Sequence, residues 1–179
     1  MTAGLLARRA SDNEREDAFA RLIDRSLPTS YRLAAVLLGN ESEAQDAVQD
    51  AAITAWGRFG TLRDPDRFEA WFQRILANRC RDLLRRRRRV RFVAVDGATA
   101  PSAPDGDHGI VERESLAVAL NKLSPDHRLV IVLRFYADLS LEEIAERTGV
   151  RLGTVKSRLH YALEALHAAY DATSREGSR

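Results

Sequence analysis

The chain has 179 residues, of which 45% are hydrophobic, and its formal net charge is only +2. This composition can supply the apolar core of one ordinary domain or of two small ones. No stretch approaches the roughly 20 apolar residues that span a bilayer, and residues 1–30 lack the pattern of a secretory signal. We therefore expect a cytoplasmic protein with no membrane insertion.

The sequence offers no motif of an enzyme or of a metal site. It has no glycine-rich phosphate loop, no Cys and His spacing of a zinc site, and no nucleophile with a base in a motif context. The single cysteine, Cys80, excludes an internal disulfide, and we expect it to be buried as a small apolar residue. The sequence therefore predicts no catalytic residue, no metal and no cofactor.

Charge is sorted into blocks along the chain. Residues 41–50 hold four acids and no base, and residues 79–91 hold eight arginines against one acid. Residues 92–112 again hold four acids and no Lys or Arg. This segregation favours separate surfaces that meet separate partners.

The first part of the chain predicts helices. Asp12 is a candidate N-cap of the first helix, which we expect to end at Leu27 because Pro28 disfavours helix at the residue before it. A second helix is predicted over residues 29–38, where Gly and Asn follow it. The chain would thus turn twice within its first 40 residues.

Two longer helices follow. The first, over residues 42–59, has small apolar residues at helical spacing and carries its acids on another face. The second, over residues 65–89, begins with Asp64 as a cap and Pro65 in its first turn. Its predicted core positions are Phe68, Phe72, Leu76 and Leu83.

Residues 92–112 predict a linker between two domains, residues 12–91 and 113–172. The segment is rich in Ala, Gly, Pro and Asp and shows no sustained period. Fully extended, it would reach roughly 70 Å. The predicted fold is therefore all-α, with two small helical domains that can engage well-separated sites.

The segment LSLEEIAERTGVRLGTVKSRLHYAL predicts a helix-turn-helix. Ser140 and Glu143 form a capping box, Ala145 is small where two helices approach, and Gly149 allows the turn. The second helix begins with side chains that can contact phosphates and base edges in a major groove, namely Arg151, Thr154, Lys156, Ser157 and Arg158. An ordinary helical hairpin is the alternative that this pattern leaves open.

The stretch EIAERTGVRLGTVKSRL resembles the DNA-reading region 4 of bacterial extracytoplasmic-function (ECF) sigma factors of the sigma-70 family. The stretches EAQDAVQDAAITAW and DRFEAWFQRILANRCRDLLRRRRR resemble region 2 of the same family, which binds core polymerase and melts promoters. Both sets occur in the family's order, on either side of the predicted linker. One departure is His160 with Tyr161, where many members carry an arginine-containing pair.

The resemblance implies two functions for the first domain. The family docks on the clamp of the largest polymerase subunit through positions that match Gln45, Asp46, Gln49 and Asp50, although a solvated helix face would look alike. The family also recognises and melts the −10 element, and for Trp71 a place in the core is an equal alternative. The matching positions are Arg63, Asp64, Pro65, Asp66, Trp71, Asn78, Arg79, Arg81, Arg85 and Arg86.

For the second domain, the resemblance implies recognition of the −35 element by the helix-turn-helix. The implied partners are promoter DNA, core RNA polymerase through its clamp and the flap of the second subunit, and for many members an anti-sigma factor. We therefore expect a promoter-specificity subunit of RNA polymerase. The alternative is a free-standing helix-turn-helix regulator, which would bind its operator without polymerase.

Overall fold

The computed structural model describes the backbone of residues 2–93 and 108–177, and the side chains of residues 13–90 and 115–172. Seven α-helices, two short 3₁₀ turns and one π turn occur in these ranges, and no strand does. The helical fold class predicted from the sequence is therefore confirmed.

The first half contains α1 (Thr2–Leu38), α2 (Glu41–Arg58) and α3 (Phe68–Val93). The 3₁₀ turns Phe59–Thr61 and Pro65–Arg67 connect α2 to α3. All three helices pack against one another, which makes this half a three-helix bundle.

α1 is one continuous helix, so both predictions about its ends are wrong: it does not begin at Asp12 and does not end at Leu27. A proline inside a helix removes one hydrogen bond and costs about 3 kcal/mol. Here Pro28 is exposed, and the carbonyl that loses its partner belongs to Asp24, which is exposed too, so water can reach it. Burial on both sides of the proline offsets the cost; the buried apolar residues of α1 are Ile23, Leu33, Ala34, Leu37 and Leu38.

Small side chains let α2 approach its neighbours closely. Gly39 ends α1 with a φ of +65°, and Asn40 caps α2 by accepting a hydrogen bond from the backbone N–H of Glu43 at 2.9 Å. The buried residues of α2 are Ala44, Ala47, Val48, Ala51 and Ala55. The opposite face of α2 is thereby left to solvent, with its acids.

An aromatic cluster fills the junction of the three helices. Phe68 is 2% exposed, and its ring centroid lies 5.8 Å from that of Phe19, 6.1 Å from that of Phe59 and 5.8 Å from that of Trp71. Phe72 stacks on the same ring at 6.0 Å. Rings in these arrangements add about 0.5–1.5 kcal/mol per pair to the burial of their area.

The remaining predicted core positions of α3 are mostly confirmed. Leu76 is fully buried, whereas Leu83 is only half-buried because the adjacent Leu84 faces the core instead. Cys80 is buried as predicted, and burial raises the pKa of its thiol to about 12. The thiolate is therefore not populated near neutral pH.

The second half contains α4 (His108–Lys122), α5 (Pro125–Ile131), α6 (Leu141–Thr148) and α7 (Leu152–Gly177). The π turn Val132–Tyr136 continues α5. Because α3 reaches Val93 and α4 begins at His108, helices extend into the predicted linker from both sides. Its other residues, 94–107, lie outside the described part of the chain.

The predicted local signals of the second half are confirmed. The hydroxyl of Ser124 accepts a hydrogen bond from the backbone N–H of His127 at 3.2 Å and caps α5. Ser140 and Glu143 form the capping box of α6, where the backbone N–H of Ser140 lowers the pKa of the Glu143 carboxyl. Gly149 closes α6 with a φ of +70°, so the helix-turn-helix is formed as the sequence predicts.

The two halves adjoin each other. α5 and α6 pack against α3, and the buried residues of both halves form one continuous apolar core. The helix-turn-helix thus lies beside the helix that carries the arginine block.

Candidate nucleic-acid interface

A cleft of about 250 Å³ opens where the turn before α3 meets α3. Arg63, Asp64 and Trp71, which were predicted to act together, all line it. Pro65 and Asp66 form the adjacent 3₁₀ turn and are exposed, but they are not part of the lining. The complete lining is Thr61, Leu62, Arg63, Asp64, Arg67, Ala70, Trp71, Arg74 and Glu146.

A second groove, of about 440 Å³, lies between α2 and α3. Asn78 lines this groove and not the cleft, while Trp71 and Arg74 line both. Asn78 therefore belongs to a neighbouring recess, and the indole of Trp71 stands at the boundary between the two. The indole is half-buried against Phe68, so Trp71 packs on the core and also lines both recesses.

The amide of Asn78 has one side already engaged. Arg81 donates a hydrogen bond to its Oδ1 at 2.8 Å. The Nδ2 group is thus the side of the amide that can donate a hydrogen bond to a further acceptor. A carboxamide held in one orientation in this way can discriminate a base edge.

The arginine block of α3 divides into paired and unpaired members. Arg79 pairs with Asp50, and Arg87 pairs with Glu43 and also donates a hydrogen bond to the carbonyl of Leu38 at 2.8 Å. These pairs tie α3 to the acidic face of α2. The exposed members, for which the described residues provide no partner, are Arg86, Arg88 and Arg89.

The acidic face of α2 also has two parts. Gln45, Asp46 and Gln49 are exposed, and their side chains point away from the bundle. Asp50 is half-buried, and its carboxylate pairs with Arg79. Of the four residues predicted to dock, three are therefore unengaged and one, Asp50, already has a counter-ion.

The predicted recognition residues lie at Arg151, just before α7, and in the first two turns of α7. Arg151, Lys156 and Ser157 are exposed, and Thr154 is half-buried. Arg158 differs from them, because its guanidinium lies 3.6 Å from the carboxylate of Asp126 and its side chain is only 25% exposed. Four of the five residues are therefore open to a ligand, and the fifth is engaged within the protein.

Asp126 receives two arginines. Arg85 of the first half donates a hydrogen bond to it at 2.8 Å, and Arg158 approaches from α7. Partial burial alone would raise the pKa of Asp126, but the hydrogen bond from Arg85 and the charges of Arg158, Arg85 and Arg81 outweigh it and lower the pKa. The carboxylate is ionised at neutral pH.

Six lining residues of the cleft were not predicted, and three of them are charged, namely Arg67, Arg74 and Glu146. Arg74 lies three residues after Trp71 and four before Asn78, so helical spacing alone would have found it on the same face. Arg67 is exposed at the mouth of the cleft, where it pairs with Glu146. Glu146 belongs to α6 of the other half, and no local sequence pattern predicts that it lies in the cleft.

Two further properties concern only the described residues. In those ranges, no cluster of three or more His, Cys, Asp or Glu side chains could hold a metal ion. No helix within them has the length and apolar character needed to cross a membrane.

The two surfaces define a helical protein with a recessed basic site on one half and a helix-turn-helix on the other. Residues 22–90 match the family Sigma-70 region 2, and residues 119–168 match the family Sigma-70, region 4. The first match contains the acidic face of α2 and every lining residue of the cleft except Glu146. The second contains the whole helix-turn-helix.

Similar proteins cover most of the chain. SigV of Bacillus subtilis, an RNA polymerase sigma factor, is 37% identical over 134 residues, which are 75% of this chain and 80% of that protein. The ECF RNA polymerase sigma factor SigL of Mycobacterium tuberculosis is 36% identical over 152 residues, which are 81% and 84% of the two chains. The chain belongs to the ECF RNA polymerase sigma factors, as the sequence predicted.

Solved structures agree with this assignment. The sigma factor RpoE of Bartonella quintana, in complex with the anti-sigma factor NepR, has a TM-score of 0.65 at 27% identity and covers 86% of this chain and 96% of its own. CnrH, in complex with the cytosolic domain of CnrY, has a TM-score of 0.63 at 33% identity and covers 93% and 94%. The protein is thus a subunit that brings core RNA polymerase to promoter DNA and directs initiation there, and it is not itself an enzyme.

Proposed function

We propose that the recessed site on α3 receives the separated −10 strand and that the start of α7 reads the −35 duplex. The observation that carries this proposal is the cleft, in which Arg63, Arg67 and Arg74 surround the indole of Trp71. A flipped base needs a stacking face and hydrogen-bonding groups, and its phosphates need cations. This recess offers a stacking face, hydrogen-bonding groups and cations, and they come from one turn and one face of α3.

The remaining residues of the first surface would contact either a DNA base or the DNA phosphate backbone. Asn78, in the adjacent groove, would meet a base edge through its Nδ2 group. Asp64 caps the 3₁₀ turn by accepting a hydrogen bond from the backbone N–H of Asp66, and thereby fixes the rim that holds Arg63. The arginines of α3 would hold phosphates; those assigned are Arg79, Arg81, Arg85 and Arg86.

Core polymerase would bind the exposed face of α2. Gln45, Asp46 and Gln49 are the open positions, and they suit a basic or polar surface such as a clamp helix. Asp50 would contribute at the edge, where it also orients Arg79. Through this pair, the polymerase-binding face and the DNA-binding face share one contact.

The proposed domains are residues 12–91 for core binding and −10 melting, and 113–172 for −35 recognition. The second would also contact the polymerase flap. An anti-sigma factor is a further proposed partner, supported by the complex of RpoE with the anti-sigma factor NepR. The proposed location is the cytoplasm, where polymerase and promoters are found.

A stand-alone regulator is not favoured, because the similarity includes the polymerase-binding half.

The test reverses one charge on the polymerase-binding face. Asp46→Lys should abolish co-purification with core polymerase, since Asp46 is exposed and its replacement costs little stability, within about 0.5 kcal/mol. The matched control is Asp24→Lys, which reverses an exposed acid on α1 and should leave binding intact. Normal binding by the Asp46 variant would contradict the docking assignment.

A further inference from the structure

The carboxamide of Asn78 is held by a neighbour on its own helix. Arg81 donates a hydrogen bond from Nη2 to Oδ1 of Asn78 at 2.8 Å. The two residues are three positions apart on α3, so they lie on one face of the helix, and both are half-buried. Their contact therefore needs no other part of the chain.

The chemistry of the two groups fixes which side of the amide faces Arg81. A guanidinium carries five N–H donors and no acceptor, whereas a carboxamide has an oxygen that accepts and an NH2 group that donates. If the amide were turned over, two donors would face each other and the hydrogen bond would be lost. The oxygen of Asn78 is therefore turned towards Arg81, and Nδ2, which has no acceptor among the described residues, is left to the groove between α2 and α3.

Arg81 differs from the neighbouring arginines in what it bonds. Arg79, Arg85 and Arg87 each pair with a carboxylate. Within the described part of the chain, Arg81 forms no such ion pair, and its buried Nε has no hydrogen-bond partner. Since no carboxylate pairs with this guanidinium in place of the amide, Arg81 is free to hold Asn78 in one orientation.

Other donors in the groove discriminate less well between bases. The hydroxyls of Thr54 and Thr61 donate to backbone carbonyls four and three residues back, at 2.9 and 2.7 Å, so their protons are not available to a base. Arg74 is exposed, and its long side chain can reach many different acceptors. A short amide that is held on one side donates only where its N–H groups point. Asn78 is therefore the donor of this groove that is best suited to distinguish one base from another.

We propose that Arg81 is a positioning residue for base selection: it turns the amide of Asn78 so that the groove presents an N–H donor, and the groove thereby selects a base with an acceptor at that point. This inference rests on the proposed function, which places a base edge at Asn78. A keto oxygen or an unprotonated ring nitrogen satisfies this donor, whereas an exocyclic amino group would leave two donors facing each other. Arg81 has further N–H groups, so it can hold a phosphate at the same time.

The first experiment measures the hold on the amide without DNA, by NMR of the full chain. The chain has four asparagines, and the side-chain NH2 signal of Asn78 is assigned by its absence in Asn78→Ala. The order parameter of this group should fall in Arg81→Met, which keeps an unbranched stem but has no N–H donor. It should be retained in Arg81→Lys, which keeps a group with donors only. Arg88→Met, the same change at an exposed position of α3, is the control and should leave the order parameter unchanged. Equal order parameters in Arg81→Met and the wild type would overturn the positioning role.

The second experiment measures base preference in holoenzyme reconstituted with the full chain. The probe is a library of promoter duplexes with a preformed bubble, whose non-template strand is randomised across the −10 element. The position that Asn78 reads is the one whose preference disappears in Asn78→Ala. At that position, a wild-type preference of about tenfold should fall to about twofold in Arg81→Met. Arg81→Lys should keep most of the preference, and Arg88→Met should keep all of it. A preference that persists in Arg81→Met would reject the inference.

A third variant tests the polarity of the contact. Asn78→Asp keeps the shape of the side chain and can pair with Arg81 through one oxygen, but its other oxygen then faces the groove as an acceptor. The preferred base at the same position should therefore change to one that offers an N–H donor there. If the preferred base stays the same as in the wild type, the groove does not select an acceptor through this amide.

These outcomes separate the inference from the proposed function. If Arg81→Met loses affinity equally for all sequences and keeps its preference, Arg81 is a phosphate contact only; positioning is then rejected, while the assignment of Asn78 to a base stands. If Asn78→Ala changes preference at no position, the assignment of Asn78 fails, and the selection role of Arg81 fails with it. A lower order parameter together with a relaxed preference in Arg81→Met supports both.

Discussion

The two proposed DNA surfaces are built in opposite ways. The first is a recess whose walls come from α3, from the turn that precedes it and from Glu146 of α6. The second is the exposed start of α7, where neighbouring residues of one helix point outward. A base taken out of its stack needs an enclosed site, whereas a duplex groove accepts a protruding helix.

This difference determines what each surface depends on. The recess rests on the aromatic cluster around Phe68, so its shape depends on packing among three helices. The helix-turn-helix depends on local devices, namely a capping box and a glycine at the turn. Substitutions in the core should therefore damage the first surface. At the second surface, a single substitution of an exposed residue should be enough to weaken DNA recognition.

The largest effect is expected in the aromatic cluster that packs against Trp71 of the recess. Phe68→Ala removes a ring that is 2% exposed and contacts other rings, so the free energy of unfolding should fall by about 3–5 kcal/mol. Phe135→Ala is the matched control, because this ring is 62% exposed and its loss should cost about 0.5 kcal/mol or less. Denaturant titration of both variants decides the comparison, and similar losses would mean that the aromatic cluster does not support the fold.

A smaller effect is expected inside the groove beside the recess. Asn78→Ala should impair strand opening by about 1–3 kcal/mol, because a buried base edge loses its partner, while closed-complex formation is retained. Permanganate footprinting of the opened region measures this. Asn13→Ala, at an exposed position on α1, serves as the control. An unchanged bubble in the Asn78 variant would place this residue outside the path of the strand.

At the second surface, Lys156→Ala and Arg158→Ala should each weaken recognition of the −35 element. Loss of a base contact costs about 1–3 kcal/mol and relaxes preference at one position, whereas loss of a phosphate contact lowers affinity for all sequences and reduces the salt slope by about one. For Arg158 the net loss should be at the lower end, since it leaves Asp126 to bind DNA. Holoenzyme binding to randomised promoters at two salt concentrations distinguishes these outcomes, with His167→Ala, 82% exposed, as the control.

The smallest effect is expected at the turn of the helix-turn-helix. Gly149→Ala should lower the free energy of unfolding by about 1 kcal/mol, because a φ of +70° is unfavourable for alanine. An added Cβ would also lie 3.0 Å from the guanidinium of Arg74, which must shift. Gly149→Asn tolerates this backbone conformation better, so it should lose less stability than alanine if φ dominates. Equal losses in denaturant titration would indicate that contact with Arg74 decides.

Local signals made much of the fold predictable. Ser140 with Glu143, Ser124 with Pro125, and Gly149 act within a few residues, so the sequence contains everything that their structures need. The continuous α1 was not predictable in this way. At Pro28 the local rule predicts that the helix breaks. Residues before and after Pro28 are buried against helices that lie far along the chain, and this burial outweighs the local cost of the proline.

The geometry of the candidate site was predictable where its residues belong to one segment of the chain, and it was not predictable where two distant segments meet. Arg63, Asp64 and Trp71 come from a single stretch that resembles a known motif, and the structure brings them together. Glu146 pairs with Arg67 across 79 positions of sequence. Such a partner depends on how the halves pack, which neither periodicity nor spacing specifies.

The π turn at the end of α5 has a consequence for how the length of the chain can vary. In Val132–Tyr136 the backbone N–H of Ala137 reaches the carbonyl of Val132, five residues back, at 3.1 Å. Removing one residue here would restore ordinary helical spacing and rotate everything that follows by about 100° relative to α5. Leu139 would then leave its buried site, and the cap of α6 would move with it. A deletion of one residue at this point would therefore disrupt the second half.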